Sequence, residues 1–311
     1  QHANRNQTSD IPPEAAFIRL GIRAYANGSA GIKALVLGHR DLQPSEMLAK
    51  SEHLLLTNHY PAYDDLYRNG FVHTRVTAYQ ERGVNVDVFR LRKNEAVSYH
   101  EFENVDVMTG SQATLAKMLE SGAYKTILVH FLDPDMWEVL RRHLNTTKVI
   151  VWVHGAEIQP WWRREYNFTT DEQLALGKLD SDKRMSFWRN LLQPMPANLK
   201  LVFVSRYFAE EVMEDLGFRL PENQYEIIHN PINTELFSYV EKPVEQRKKI
   251  LSIRPYASAK YANDLSVKAI ELLAEKPYFS ELDFHMIGDG VLFEETLAPL
   301  HKFPNVKIER R

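Results

Sequence analysis

Directly after the apolar run Val149–Val153 stands His154-Gly155-Ala156-Glu157. A His and a Glu just past a buried strand suit acid/base work or the binding of a hydroxyl. They also fit an ordinary loop histidine. Further on, Ile250-Leu251-Ser252-Ile253 is followed by Arg254 and, six positions later, Lys260. Arg forks onto phosphate oxygens and Lys adds a point charge. A helix starting near Asn263-Asp264 would aim its first amides at the same space. On spacing alone, two solvated loop cations fit better. Ile287-Gly288-Asp289-Gly290 ends another apolar stretch. Glycines there admit a ligand close to the backbone, or simply make a turn. Ser205 precedes a helical pattern, and Asn230-Pro231-Ile232-Asn233-Thr234 is a turn former after a strand-like run.

Other constellations carry less chemistry. Asp133-Pro134-Asp135 looks like an Asp-x-Asp metal motif, but it reads better as a helix start. Asp133 would cap, Pro134 would fill the first helical position and Asp135 would favour the macrodipole. That motif is therefore not expected to hold a metal. Trp161-Trp162-Arg163-Arg164 suits sugar stacking, the rim of a membrane interface, or a helix packed by its tryptophans. The chain has no His-Glu-x-x-His, P-loop or Gly-x-Gly-x-x-Gly. That speaks against a zinc protease, an NTPase and a dinucleotide enzyme. It has no cysteine, which removes thiolate chemistry and disulfides.

These residues need a scaffold of strands with ligand-facing carboxyl ends. From residue 53 onward, short apolar strands alternate with amphipathic helices, three of them closed by Gly83, Gly122 and Gly217. Such alternation predicts right-handed βαβ units and a parallel sheet covered on both faces. The predicted organisation has four parts. Residues 1–52 form a β-hairpin segment, with strands at Phe17–Tyr25 and Ile32–Gly38, either the tail of a preceding β-sandwich or a docked hairpin. Residues 53–237 form a complete Rossmann-like domain. Residues 238–249 are a charged linker. Residues 250–311 begin a second Rossmann-like domain, with three strands and two helices.

The 311 residues carry a net charge of −3, 44% hydrophobic and 25% charged residues. This is a globular composition, without the basic footprint of a nucleic-acid binder. No apolar run approaches the roughly 18 residues of a membrane span. No signal peptide opens the chain, and its first residue is Gln1. The expectation is a cytoplasmic protein, or an excised piece of one, with peripheral membrane contact through the Trp/Arg segment.

Singly these motifs are short, but their order is specific. His154-Gly155-x-Glu157, Val204-Ser205, Ile228-His229-Asn230-Pro231-Ile232-Asn233-Thr234-Glu235-Leu236-Phe237, Arg254 with Lys260, and Ile287-Gly288-Asp289-Gly290 follow one another over residues 53–311. The series resembles the retaining glycosyltransferases of family 4, which have the α/β GT-B fold. Pro231 replaces the family's Gly, Asn233 replaces its acidic residue, and the glycines of its Gly-Arg…Lys-Gly element are absent.

The resemblance implies an enzyme that moves a sugar from a nucleotide-diphosphate sugar to an acceptor hydroxyl, with retention and without a metal. The acceptor would be a carbohydrate or lipid-linked molecule. No cofactor is implied beyond the donor substrate. His154 and Glu157 would be the catalytic residues. Arg254, Lys260, Gly288, Gly290, Ser205 and Asn230 would hold the donor, the two cations neutralising its diphosphate. The family's paired-glutamate element lies beyond a third strand of the C-terminal domain. The chain stops before it, so the piece is expected to be inactive alone. Two other readings stay open: a non-catalytic carbohydrate- or partner-binding segment on the same scaffold, and a sugar-nucleotide epimerase.

Overall fold

The computed structural model describes residues 51–66, 68–235 and 237–311. The N-terminal hairpin expected at Phe17–Gly38 lies outside them. The described residues fall into two compact units. One holds the residues up to Glu157 together with Phe187–Ile232, and the other holds Ile158–Ser186 with Asn233–Arg311.

The first unit is built on an eight-stranded sheet in the order β3-β4-β2-β1-β5-β6-β7-β8. Its strands are β1 (His53–Thr57), β2 (Asp87–Leu91), β3 (Ser98–Phe102), β4 (Val105–Gly110), β5 (Thr126–His130), β6 (Lys148–Val153), β7 (Leu199–Phe203) and β8 (Tyr225–Ile227). All neighbours pair in parallel except β3 with β4. The chain runs from β1 to β2 on one side and returns with β5 on the other, so the order reverses between β1 and β5. In open parallel sheets ligands bind outside the carboxyl ends of the strands, near such a reversal. The central strands read as unbroken apolar runs because both faces are covered. Leu54, Leu55, Ile127, Val129, Val149 and Val151 are all buried.

The helices of this unit are α1 (Gly70–Glu81), α2 (Gln112–Glu120), α3 (Pro134–Leu140), the C-terminal part of α4 (Asp171–Leu192) and α5 (Arg206–Leu216). Local sequence fixes their ends. Asp133 accepts from the Met136 amide at 2.8 Å, with Pro134 in the first turn. Ser205 accepts from the Phe208 amide at 3.1 Å, and Gly217 closes α5 at φ 85°. The β3–β4 hairpin and the 22-residue α4 are absent from the sequence reading. The β3 segment Ser98-Tyr99-His100-Glu101-Phe102 is only partly buried at a sheet edge, so it lacks the apolar run that marks a central strand. The tryptophans expected on a helix instead open a 3-10 run, Trp161–Asn167, broken at Arg164.

The second unit has a three-stranded parallel sheet in the order β11-β10-β9. Its strands are β9 (Lys249–Ile253), β10 (Asp283–Gly288) and β11 (Val306–Arg310), joined by α6 (Asn263–Leu273) and α7 (Phe293–Leu297). Tyr256, Val267, Ile270, Phe284, Met286, Phe293, Leu297 and Leu300 form its core on one sheet face. Ile158–Ser186 adds the 3-10 run and most of α4, tied on where Ser258 donates to Asn167 Oδ1 at 3.0 Å.

Candidate functional site

The first unit gathers its polar side chains at the carboxyl ends of β5, β6 and β8. β6 ends at Val153, so His154 leaves the sheet at its carboxyl edge. Its Nε2 lies 2.9 Å from Nδ1 of His130, the last residue of β5. The two rings stack at 5.2 Å, and His130 also stacks on Trp152 at 5.1 Å. Phe71 and Phe131 pack on the His154 ring at 4.8 and 4.6 Å. Phe131 takes a left-handed backbone, φ 60°, which a non-glycine residue adopts only under constraint. That turn sets its ring against His154.

This apolar cage has an electrostatic consequence. Burial, and next the positive charge of Arg75, push the His154 pKa down to about 4. His130 is buried completely and is driven well below the usual imidazole range, by desolvation first and then by the charges of His154 and Arg75. Both rings are neutral near pH 7. A neutral imidazole offers one donor and one acceptor. With Nε2 engaged by His130, His154 is left with Nδ1 for a ligand. Such a ring binds a hydroxyl well and is a poor proton acceptor for general base catalysis.

Glu157 takes a different place from the one expected of a catalytic carboxylate. Its two oxygens accept from the backbone amides of His154 and Gly155. Its own carbonyl accepts from the Trp188 indole at 2.6 Å. Glu157 thus pins the turn that carries His154. Ser205 spends its hydroxyl as the cap of α5. Asn230 is exposed after β8, and its Oδ1 accepts from Arg75 Nη2 at 3.3 Å. Arg75, on α1, lies over the Trp152 ring at 5.1 Å, so it connects the end of β6 with Asn230.

In the second unit Arg254 and Lys260 meet on Tyr261. Arg254 Nη1 donates to the Tyr261 carbonyl at 3.1 Å, and the Lys260 ammonium stands 4.7 Å above the Tyr261 ring. Both lie between the carboxyl end of β9 and the start of α6, whose entry is held by Asn263 donating to the Pro255 carbonyl at 2.9 Å. Gly288 and Gly290 stand at the end of β10. A Cβ on Gly288 would fall 2.0 Å from the Arg254 carbonyl oxygen, and one on Gly290 would fall 2.2 Å from the Tyr256 carbonyl carbon. The backbone that these glycines admit is the chain's own segment 254–257. They therefore set where Arg254 sits. The loop is held by the Arg254 amide on the Ile287 carbonyl and the Tyr256 amide on the Asp289 carbonyl, at 3.0 and 2.8 Å.

Sequence reasoning missed His130, Arg75 and Phe131. His130 carried the same signal as His154, a polar residue at the end of an apolar strand. Arg75 carried none, since an arginine within a helix is usually solvated. A further chain was also missed: buried Tyr60 bonds His73 Nδ1 at 2.9 Å, and His73 Nε2 bonds Glu103 at 3.0 Å. It joins the end of β1 to the β3–β4 turn, and burial raises the Tyr60 phenol and lowers His73.

No family profile matches the chain. One curated relative, the DNA polymerase III subunit alpha of Chlamydia muridarum, is 26% identical over 166 residues, which is 50% of this chain and 13% of that protein. The chain spans far less than two thirds of that relative, and the likeness does not define a function. Solved structures define the fold. A structure described as trehalose-6-phosphate from E. coli bound with UDP-2-fluoro glucose superposes with a TM-score of 0.51 at 11% identity, over 83% of this chain and 73% of that one. A glycosyltransferase from Rickettsia africae gives 0.51 at 12%, over 84% and 69%. An alpha,alpha-trehalose-phosphate synthase (UDP-forming) from Burkholderia vietnamiensis gives 0.51 at 12%, over 84% and 72%. The chain therefore has the α/β GT-B-like fold of glycosyltransferases. Its described residues include no helix long and apolar enough to cross a membrane.

Proposed function

We propose that this chain is the scaffold of a retaining glycosyltransferase of the family 4 type, acting on a nucleotide-diphosphate sugar and an acceptor hydroxyl. The observation that carries the reading is the placing of His154. It stands at the carboxyl end of a central parallel strand in a GT-B-like fold, with a neutral ring and one free nitrogen. In this reading the first unit takes the acceptor, and His154 hydrogen-bonds a hydroxyl of the reacting sugar. Glu157 acts through His154, as a positioning residue.

The second unit binds the donor diphosphate through Arg254 and Lys260, already paired on Tyr261. Charge on the departing diphosphate is met by these cations, which are fixed before the bond breaks. The reaction in this reading needs no divalent metal. Asp133 and Asp135 support it, since Asp133 is used as the cap of α3 and Asp135 lies in its first turn. The acceptor is a carbohydrate or a lipid-linked molecule.

The test is calorimetric titration of UDP, GDP and ADP, and of their glucose conjugates, into the full chain with and without excess chelator. Saturable binding of one nucleoside diphosphate, unchanged by chelator and weakened at least tenfold in Arg254→Ala, is expected. Absence of binding by every member of the panel would overturn the donor assignment. Binding that appears only with Mg²⁺ or Mn²⁺ would overturn the metal-free mechanism.

A further inference from the structure

Arg75 is a buried charge of the first unit that no acid among the described residues neutralises. It is 5% exposed. Its Nη2 donates to the His229 carbonyl at 3.4 Å and to Asn230 Oδ1 at 3.3 Å, long bonds to neutral acceptors. The Tyr79 hydroxyl is a further neutral partner. Its Nε is buried with no partner. Among the described residues no carboxylate pairs with it. A buried lysine or histidine relieves such a position by losing its proton, but an arginine stays charged. Buried charges in proteins are otherwise paired or bound to a ligand.

The neighbourhood sharpens the point. His130 and His154, which the charge of Arg75 reaches, are themselves neutral and compete for no anion. Trp152 covers one side of the guanidinium. The Nε–Nη2 edge is the one with an unused donor and weakly used ones, and that edge can take two oxygens of one group as a fork. Asn230, against the same edge, is exposed, so the guanidinium lies next to solvent-accessible surface.

We infer that Arg75 binds an oxyanion, a phosphate or carboxylate borne by the acceptor, on its Nε–Nη2 edge beside Asn230. This rests on the reading of the first unit as the acceptor side, and it narrows the acceptor to an acidic one. The anion supplies the missing counter-charge of Arg75 and seats the acceptor at the strand ends where His154 stands.

The probes are inorganic phosphate and acetate, titrated into the full chain by calorimetry against sodium chloride of matched ionic strength. Saturable binding of phosphate or of acetate that persists in Arg254→Ala, which removes the donor-side cation, is expected, and the probe that binds there tells which oxyanion the site takes. Arg75→Lys keeps the charge but loses the fork, and should bind at least tenfold more weakly. Arg75→Met should not bind. Phosphate also stabilises proteins without binding, so thermal unfolding is read as the difference between wild type and Arg75→Met. Heats that superimpose on chloride in the wild type overturn the inference without any variant. So does an Arg75→Lys affinity equal to wild type. No nucleotide enters this experiment. Its failure therefore leaves the donor assignment standing, and failure of nucleotide binding removes only the word acceptor from the anion site.

Discussion

His130 Nδ1 and His154 Nε2 lie 2.9 Å apart, one ring at the end of β5 and the other just past the end of β6. One nitrogen donates and the other accepts, so the tautomers of the two rings are coupled. The free nitrogen of His154 is a donor when Nε2 accepts from His130 and an acceptor when Nε2 donates to it. His154→Ala in the active enzyme should lower kcat by about 10²-fold or more, as for other groups that hydrogen-bond at a reacting centre. It should lower stability by about 1–3 kcal/mol, because the completely buried His130 Nδ1 loses its partner. Comparing turnover with urea unfolding checks the split, and equal losses in both would count against a catalytic role.

The same pair predicts a pH dependence of stability. Folded His154 has a pKa of about 4 against an ordinary 6.5. Between those values the unfolded chain binds more protons, so acid favours unfolding. His154 thus costs nothing above about pH 7, and its penalty grows as pH falls from 6.5 toward 4. At its full extent the penalty is on the order of 3 kcal/mol. Denaturant midpoints of wild type and His154→Asn from pH 7.5 to 4.5 isolate it, and the difference between the two should shrink or reverse in acid.

Glu157 should behave as a positioning residue. Its carboxylate receives the amides of His154 and Gly155, bonds to a charged acceptor that are worth about 1.5–3 kcal/mol each. Glu157→Ala should cost roughly 2 kcal/mol and should also reduce kcat. Glu157→Gln, which keeps one acceptor oxygen, should restore much of both. A kcat that falls equally in Glu157→Gln and Glu157→Ala, with stability intact, would show that the carboxylate itself reacts.

Gly288→Ala should damage the second unit without touching any ligand. Its Cβ would sit 2.0 Å from the Arg254 carbonyl oxygen, which belongs to backbone and cannot swing away. Overpacking of this kind costs about 1–3 kcal/mol. Because the displaced segment carries Arg254, nucleoside diphosphate affinity should fall with stability. Melting curves and calorimetry on the same variant read both.

The glycine pattern also shows what sequence can and cannot say. Gly217 was legible as a helix end, since the left-handed φ of a C-cap is a local demand that one residue answers. So were the Asp133 and Ser205 caps and the apolar central strands, because each depends on neighbours within a few positions. Gly288 was legible only as a turn or an open approach. That its partner is the backbone 254–257 depends on two parallel strands lying side by side, a contact between residues more than thirty positions apart.

The candidate site divides in the same way. His154 could be found from the chain alone because strand length and position place it at a carboxyl edge. Its neutrality could not, since that comes from Phe71, Phe131, His130 and Arg75, brought from α1 and β5 by the sheet order. Arg75 was invisible for the same reason: within its own helix it is an ordinary cation. The α/β alternation thus follows from local periodicity. Burial, tautomer and unpaired charge are properties of the packed sheet, because desolvation depends on every atom that excludes water, whatever its distance along the chain.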